Sequence, residues 1–228
     1  MSLPANVTVS SHPCLLAKLS QLRSASTSPK ETKALVHELS ILLGSEALSK
    51  VLTTTVDGTD VSPLGVSFDV YKTNPSRIVL VPILRSGLGM VEALQTILPV
   101  PVPVHHLGLF REKTSLQPVE YYNNLPTRVT PTTGDAGPCD LAIVVDPVIA
   151  TGGTAEAAIQ TLKEWGVPKI LVLSILGSTE GVTRAANEAE GVEIFVGAVD
   201  KELGGVGGGM IVPGVGDIGD RLFLTIGK

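Results

Sequence analysis

Cysteine is nearly absent from the 228 residues, with Cys14 and Cys139 as the only two. They cannot form a disulfide framework or a zinc site, which need more ligands at short spacing, so a reducing, cytoplasmic location is expected. Histidine is sparse as well, at positions 12, 37, 105 and 106 without an i,i+4 pair, and no protein-held metal centre is expected. Positive charge is in deficit: 17 Lys+Arg stand against 22 Asp+Glu, a formal net charge of −5, which argues against a dedicated nucleic-acid binder. Long apolar runs are missing too. The longest aliphatic stretch, Leu141-Ala142-Ile143-Val144-Val145, falls far short of the ~20 residues that span a bilayer, so no membrane segment is expected. No Gly-x4-Gly-Lys-Ser/Thr loop occurs, which excludes most P-loop kinases.

What is present is a composition of 43% hydrophobic and 17% charged residues, sufficient to bury a sizeable core. No internal repeat or true linker divides the chain, and residues 1–228 read as one domain. Glycine (24) and proline (16) are frequent, which assigns much of the function to loops.

The apolar spacing of Leu15, Leu16, Leu19 and Leu22 predicts a helix from Pro13 to Ser24. Ser28-Pro29-Lys30-Glu31 is a capping box with Pro at the first helical position; the helix it opens carries Leu35, Leu39, Leu42 and Leu43 on one stripe. Val51 to Val56 and Asp60 to Val66 flank Asp57-Gly58, a hairpin turn signal. Beyond Arg77 the pattern alternates. Strands are expected at 77–81, 102–109, 141–145, 170–176 and 192–199, and helices at 87–98, 153–165 and 179–190. In the helix at 153–165, Ala157, Ala158, Leu162 and Trp165 form the inner face. Such alternation implies an α/β fold with a mostly parallel sheet flanked by helices, whose ligands sit at the carboxyl ends of the strands.

Four segments are candidates to carry chemistry. Asp146 ends a buried strand, and Pro147 to Thr154 follow as a short loop ending in Thr151-Gly152-Gly153-Thr154 at a helix start. Backbone N–H groups, small residues and hydroxyls there make a monophosphate cradle, although a structural turn with a Thr cap fits the loop taken alone. Val81 to Met90 places Arg85 at another strand end before Gly87-Leu88-Gly89, which suits a diphosphate or a plain salt bridge. Met210 to Arg221 is too rich in Gly and Asp to be core, and reads as a ligand loop or an ordinary one. Its Gly214-Val-Gly216-Asp-Ile-Gly219 matches the dinucleotide pattern, but too few residues follow for the helix, strand and acid that pattern requires. Phe110 to Tyr122 is a candidate lid.

In order and spacing, four blocks resemble the uracil phosphoribosyltransferase family: Val81 to Met90, Phe110-Arg111-Glu112 with Pro118 to Tyr122, Asp146 to Thr154, and Pro213 to Arg221. The resemblance implies a type I phosphoribosyltransferase fold with a small hood and an N-terminal helical and hairpin extension. It also implies transfer of the phosphoribosyl group of 5-phosphoribosyl 1-diphosphate (PRPP) to uracil, giving UMP and pyrophosphate in pyrimidine salvage. It places Arg85 and Arg111 on PRPP, with Asp146, Pro147, Val148, Ile149, Ala150, Thr151, Gly152, Gly153 and Thr154 around its ribose hydroxyls and 5′-phosphate. It also places Asp217 on PRPP. Ile211, Gly216, Asp217 and Ile218 would hold uracil, and Arg85, Asp146 and Asp217 would serve catalysis. Mg²⁺ would be held through PRPP and water, with no direct protein ligand. A homodimer or tetramer is implied, and GTP is an effector of some relatives. Met210 stands where the family usually has Tyr. The alternative is a nucleotide-sensing regulatory or inactive member of the same fold.

Overall fold

The computed structural model describes residues 2–111, 118–127, 137–204 and 209–225. In chain order the elements are β1 (Val7–Val9), α1 (Pro13–Arg23), α2 (Pro29–Val51), β2 (Thr53–Val61), β3 (Ser67–Asn74), β4 (Ile78–Leu84) and α3 (Leu88–Ile97). They continue with β5 (Leu107–Arg111), β6 (Pro118–Asn123), β7 (Leu141–Val145), β8 (Val148–Ile149), α4 (Gly153–Trp165), β9 (Lys169–Ser178) and α5 (Thr179–Ala186). The last are β10 (Val192–Asp200), β11 (Glu202–Gly204), β12 (Met210–Val212) and α6 (Ile218–Phe223).

The central sheet runs β1-β10-β9-β7-β4-β5-β6, with β8 also on β9. Every neighbouring pair is parallel except β5 with β6. Both faces are covered, and the strand residues sort by parity. Ile78, Leu80, Leu141, Ile143 and Val145 face α1, α2 and α3, whereas Val79, Val81, Ala142 and Val144 face α4 and α5. Helix α2 starts at the expected capping box, in which Ser28 and Glu31 satisfy each other's backbone N–H groups. The stripe holds: Leu35, Leu39 and Leu43 are buried, with Leu42 packed at the edge.

Three expectations are corrected. Asp57-Gly58 is not the hairpin turn. It lies inside the continuous strand β2, where the register with β3 shifts between Val56 and Thr59, and the chain reverses over Ser62–Val66, closed by Ser62 N–H to Val66 C=O and Gly65 N–H to Ser62 C=O at 2.9 Å each. A Gly in a strand can serve a bulge as well as a turn, and Pro63, with no N–H to give a ladder, fits the turn. Helix α5 ends at Ala186, earlier than expected, with Asn187 as its cap. The buried face of α4 is Ala155, Ala158, Ile159 and Leu162; Ala157 and Trp165 pack only at its margin. The edge strand β1, paired with β10, is only three residues long, too short for an alternating pattern to mark it in the sequence. Among the described residues no helix is long and apolar enough to cross a membrane.

Candidate active site

Strands β4 and β7 are parallel neighbours whose carboxyl ends deliver Arg85, Ser86 and Asp146 to one edge of the sheet. There a cleft of about 250 Å³ is lined by Arg85, Ser86, Asp146, Val148 and Thr154 on the sheet side. Leu109 and Phe110 of β5 form another wall, and Met210 with Gly216 to Gly219 closes it from the C-terminal segment. Segments distant in sequence therefore meet at the position expected for an α/β ligand site.

Asp146 is 8% exposed, and burial pushes its carboxyl up to about 6, against the hydrogen bonds from Ser86 and the Val148 N–H that favour the ionised form. The loop after it turns back onto α5. Ser178 donates its hydroxyl to the Ala150 carbonyl and accepts the Gly181 N–H at 2.8 Å. Gly152 has φ 82° and its position has no room for a side chain, since a Cβ would lie 2.5 Å from the Gly181 carbonyl oxygen. Helix α4 opens with no side-chain cap, so its first-turn N–H groups suit an anion. Glu156 in that turn would repel a phosphate, but it is paired with Arg184.

Arg85 at the end of β4 donates to Asp220 Oδ1 at 3.0 Å and to Thr225 Oγ1 at 2.8 Å. Asp217 caps α6 by accepting the Asp220 N–H at 2.9 Å and faces the cleft. Ile211 is buried in the core, and Ile218, also largely buried, forms part of the cleft wall. Of the expected residues, Arg85, Asp146, Val148, Thr154, Gly216, Asp217 and Ile218 line the cleft itself. Pro147, Ile149, Ala150, Thr151, Gly152 and Gly153 form the loop and helix start around it. Arg111 ends β5; its side chain, and residues 112–117 of the expected lid, lie outside the described residues. The described flanks of that lid are the paired strands β5 and β6.

Sequence reasoning missed Ser86, Asp220 and Thr225. Ser86 carried a faint signal, a hydroxyl next to the strand-end Arg85, while Thr225 reaches Arg85 only through folding.

A family profile described as uracil phosphoribosyltransferase matches residues 9–225. The chain belongs to the uracil phosphoribosyltransferase family. A uracil phosphoribosyltransferase of Roseiflexus castenholzii is 44% identical over 223 residues, 96% of this chain and 98% of its own. The protein urg2 of Schizosaccharomyces pombe is 42% identical over 219 residues, covering 96% and 90%. The solved structure of the AQ2163 protein from Aquifex aeolicus superposes with a TM-score of 0.82 at 32% identity, covering 96% of this chain and 98% of that one. Family membership and the mostly parallel sheet together identify the type I phosphoribosyltransferase architecture; the C-terminal segment of β12 and α6, which closes the cleft, is called the hood below. Among the described residues of this uracil phosphoribosyltransferase family member, no group of three or more His, Cys, Asp or Glu could hold a metal ion.

Proposed function

We propose that this chain, as one phosphoribosyltransferase domain over residues 1–228, transfers the phosphoribosyl group of PRPP to uracil, releasing pyrophosphate and UMP. The observation that carries the reading is the single cleft in which Asp146, Arg85 and the hood segment 216–219 meet. Asp146 would accept the ribose hydroxyls, the loop 147–154 would hold the 5′-phosphate, and Arg85 with Arg111 would take the diphosphate. Reaching the diphosphate requires Arg85 to leave Asp220. That exchange is cheap, because the Arg85 side chain is 47% exposed and exposed ion pairs contribute only ~0.2–1 kcal/mol.

In the reaction the bond from C1′ to the diphosphate oxygen breaks, a bond from C1′ to uracil N1 forms, and the N1 proton passes to solvent or to the departing pyrophosphate. Positive character develops on the ribose and negative charge on the departing oxygens, where Arg85 stabilises it. No covalent nucleophile is needed. Asp217 and the main chain of 216–218 would orient the base. Mg²⁺ fits the hard oxygens of Asp146 and Asp217, reached through water, and when bound would neutralise charge on the diphosphate.

The hairpin of β2 and β3 supports a homodimer or tetramer: Val56, Val61, Leu64, Phe68 and Tyr71 on it are 48–89% exposed. GTP belongs to the same proposal as an effector, tested by adding it to the assay. The deciding experiment is conversion of radiolabelled uracil by the purified chain with PRPP and Mg²⁺. Formation of UMP is expected. PRPP or UMP binding without turnover would instead favour the nucleotide-sensing alternative.

A further inference from the structure

Next to the hood segment, and outside the lining of the cleft, two side chains hold one residue of backbone. Arg23, the last residue of α1, donates Nη1 to Asp200 Oδ2 at 2.7 Å and Nη2 to Asp200 Oδ1 at 2.8 Å. The same Nη1 donates to the Gly214 carbonyl at 2.9 Å, while the Gly214 N–H donates to Asp200 Oδ2 at 3.1 Å. Both polar groups of Gly214 are thus fastened to the two halves of one ion pair. The pair is largely shielded from water, with side chains 24% and 12% exposed. Gly214 has φ 62°, and a Cβ there would lie 2.1 Å from the Ile211 carbonyl oxygen, so the turn has little freedom. Arg221 of α6 reinforces the arrangement. Its Nη1 donates to the carbonyls of Leu22 and Val215 at 2.7 Å each, which ties the next residue of the turn to the end of α1.

Turn 213–216 lies between β12 and Asp217, so its N–H and C=O groups have no sheet ladder to complete. Charge-assisted bonds from a bidentate Arg–carboxylate pair fix both direction and distance, which a single neutral bond does not. Neither residue lines the cleft, whereas Gly216 to Gly219, two residues further along, do.

We propose that Arg23 and Asp200 are positioning residues for the base: by fixing Gly214 they set where the main chain of Gly216 to Ile218 meets the pyrimidine edge. This rests on the uracil-transfer reading above. A pair that only tethered α1 to the hood would alter stability without altering which substrate binds, and that difference is measurable.

The test measures melting temperature, the KM values for uracil and PRPP separately, and the uracil-to-cytosine ratio of kcat/KM in the intact chain. Loss of a charge-assisted bond predicts that Asp200→Ala raises the uracil KM by about tenfold or more while the PRPP KM stays within about twofold. The uracil-to-cytosine ratio should fall with it. Asp200→Asn keeps an oxygen for the Gly214 N–H and should recover part of the loss; Arg23→Lys, which keeps the charge but not the fork, should resemble Asp200→Ala. These two variants carry the test if Asp200→Ala does not fold. Folded variants with lowered melting temperature but unchanged uracil KM would overturn the proposal, as would equal rises in both KM values. A wild-type chain that converts no uracil sinks the parent reading. The pair is then judged by UMP affinity in calorimetry, where Asp200→Ala must weaken binding by about tenfold to sustain it and an unchanged affinity refutes it.

Discussion

Ser86 donates its hydroxyl to Asp146 Oδ1 at 2.9 Å, joining the segments that leave the neighbouring strands β4 and β7. The bond favours the ionised carboxylate, but burial outweighs it and holds Asp146 at about 6. In the proposed role the carboxylate is the form that accepts the ribose hydroxyls, so kcat/KM for PRPP should fall as pH drops below about 6. Initial rates between pH 5 and 8 test this, and a profile flat across that range contradicts the assignment. Asp146→Asn should weaken PRPP binding by at least about tenfold, the loss expected for charge-assisted bonds.

The same buried carboxyl makes an opposite prediction for stability. Its folded value, about 6, lies above the ordinary 3.8, so its contribution is fully present below 3.8 and is lost as pH rises through about 6. Asp146→Asn escapes that loss. The variant should match the parent near the acid limit and exceed it at pH 8 by about 3 kcal/mol in chemical unfolding, a stability gained where activity is lost. A variant less stable than the parent at pH 8 would falsify the account.

Gly152→Ala should damage the proposed phosphate loop. A side chain there meets a positive φ and the Gly181 carbonyl together. The left-handed conformation alone costs roughly 1–2 kcal/mol, so kcat/KM for PRPP should fall by about tenfold or more. Steady-state kinetics at fixed uracil, with circular dichroism to establish folding, are the check; unchanged PRPP kinetics in the folded variant refute the role.

Base choice should rest on main-chain groups. Uracil offers an acceptor O4 beside a donor N3–H, and cytosine reverses both. Two unsatisfied groups at ~1–3 kcal/mol each predict a uracil preference of about 30-fold or more, with 5-fluorouracil accepted. Met210, 38% exposed on the cleft wall, should change overall efficiency but not this ratio when replaced by Tyr. Comparable cytosine rates, or a ratio that collapses in Met210→Tyr, would move the choice to side chains.

The two thiols should separate cleanly. Cys14 is exposed, whereas Cys139 is buried and its thiol is pushed up to about 11. Alkylation at pH 8 should modify Cys14 rapidly and reach Cys139 only after denaturation, as intact-mass spectrometry would read. Rapid labelling of Cys139 in the folded chain contradicts its burial.

Sequence alone determined what is local or periodic. Ser28 to Glu31 fixed the start of α2 because a capping box closes within four residues, and the run Leu141–Val145 followed by Asp146 and a Gly-rich loop marked strand, acid and helix start in one stretch. The Asp57-Gly58 signal misled because a Gly next to an Asp serves a bulge as readily as a turn, and only the pairing of β2 with β3 decides between them. The tertiary structure alone decided the partners: Ser86 with Asp146 across 60 residues, Arg85 with Thr225 across 140, and Arg23 with Asp200 across 177. The physical reason is that hydrogen-bond direction and burial depend on how strands stack in the sheet and how the hood folds back over it. Neither leaves a periodic trace in the residues that end up touching.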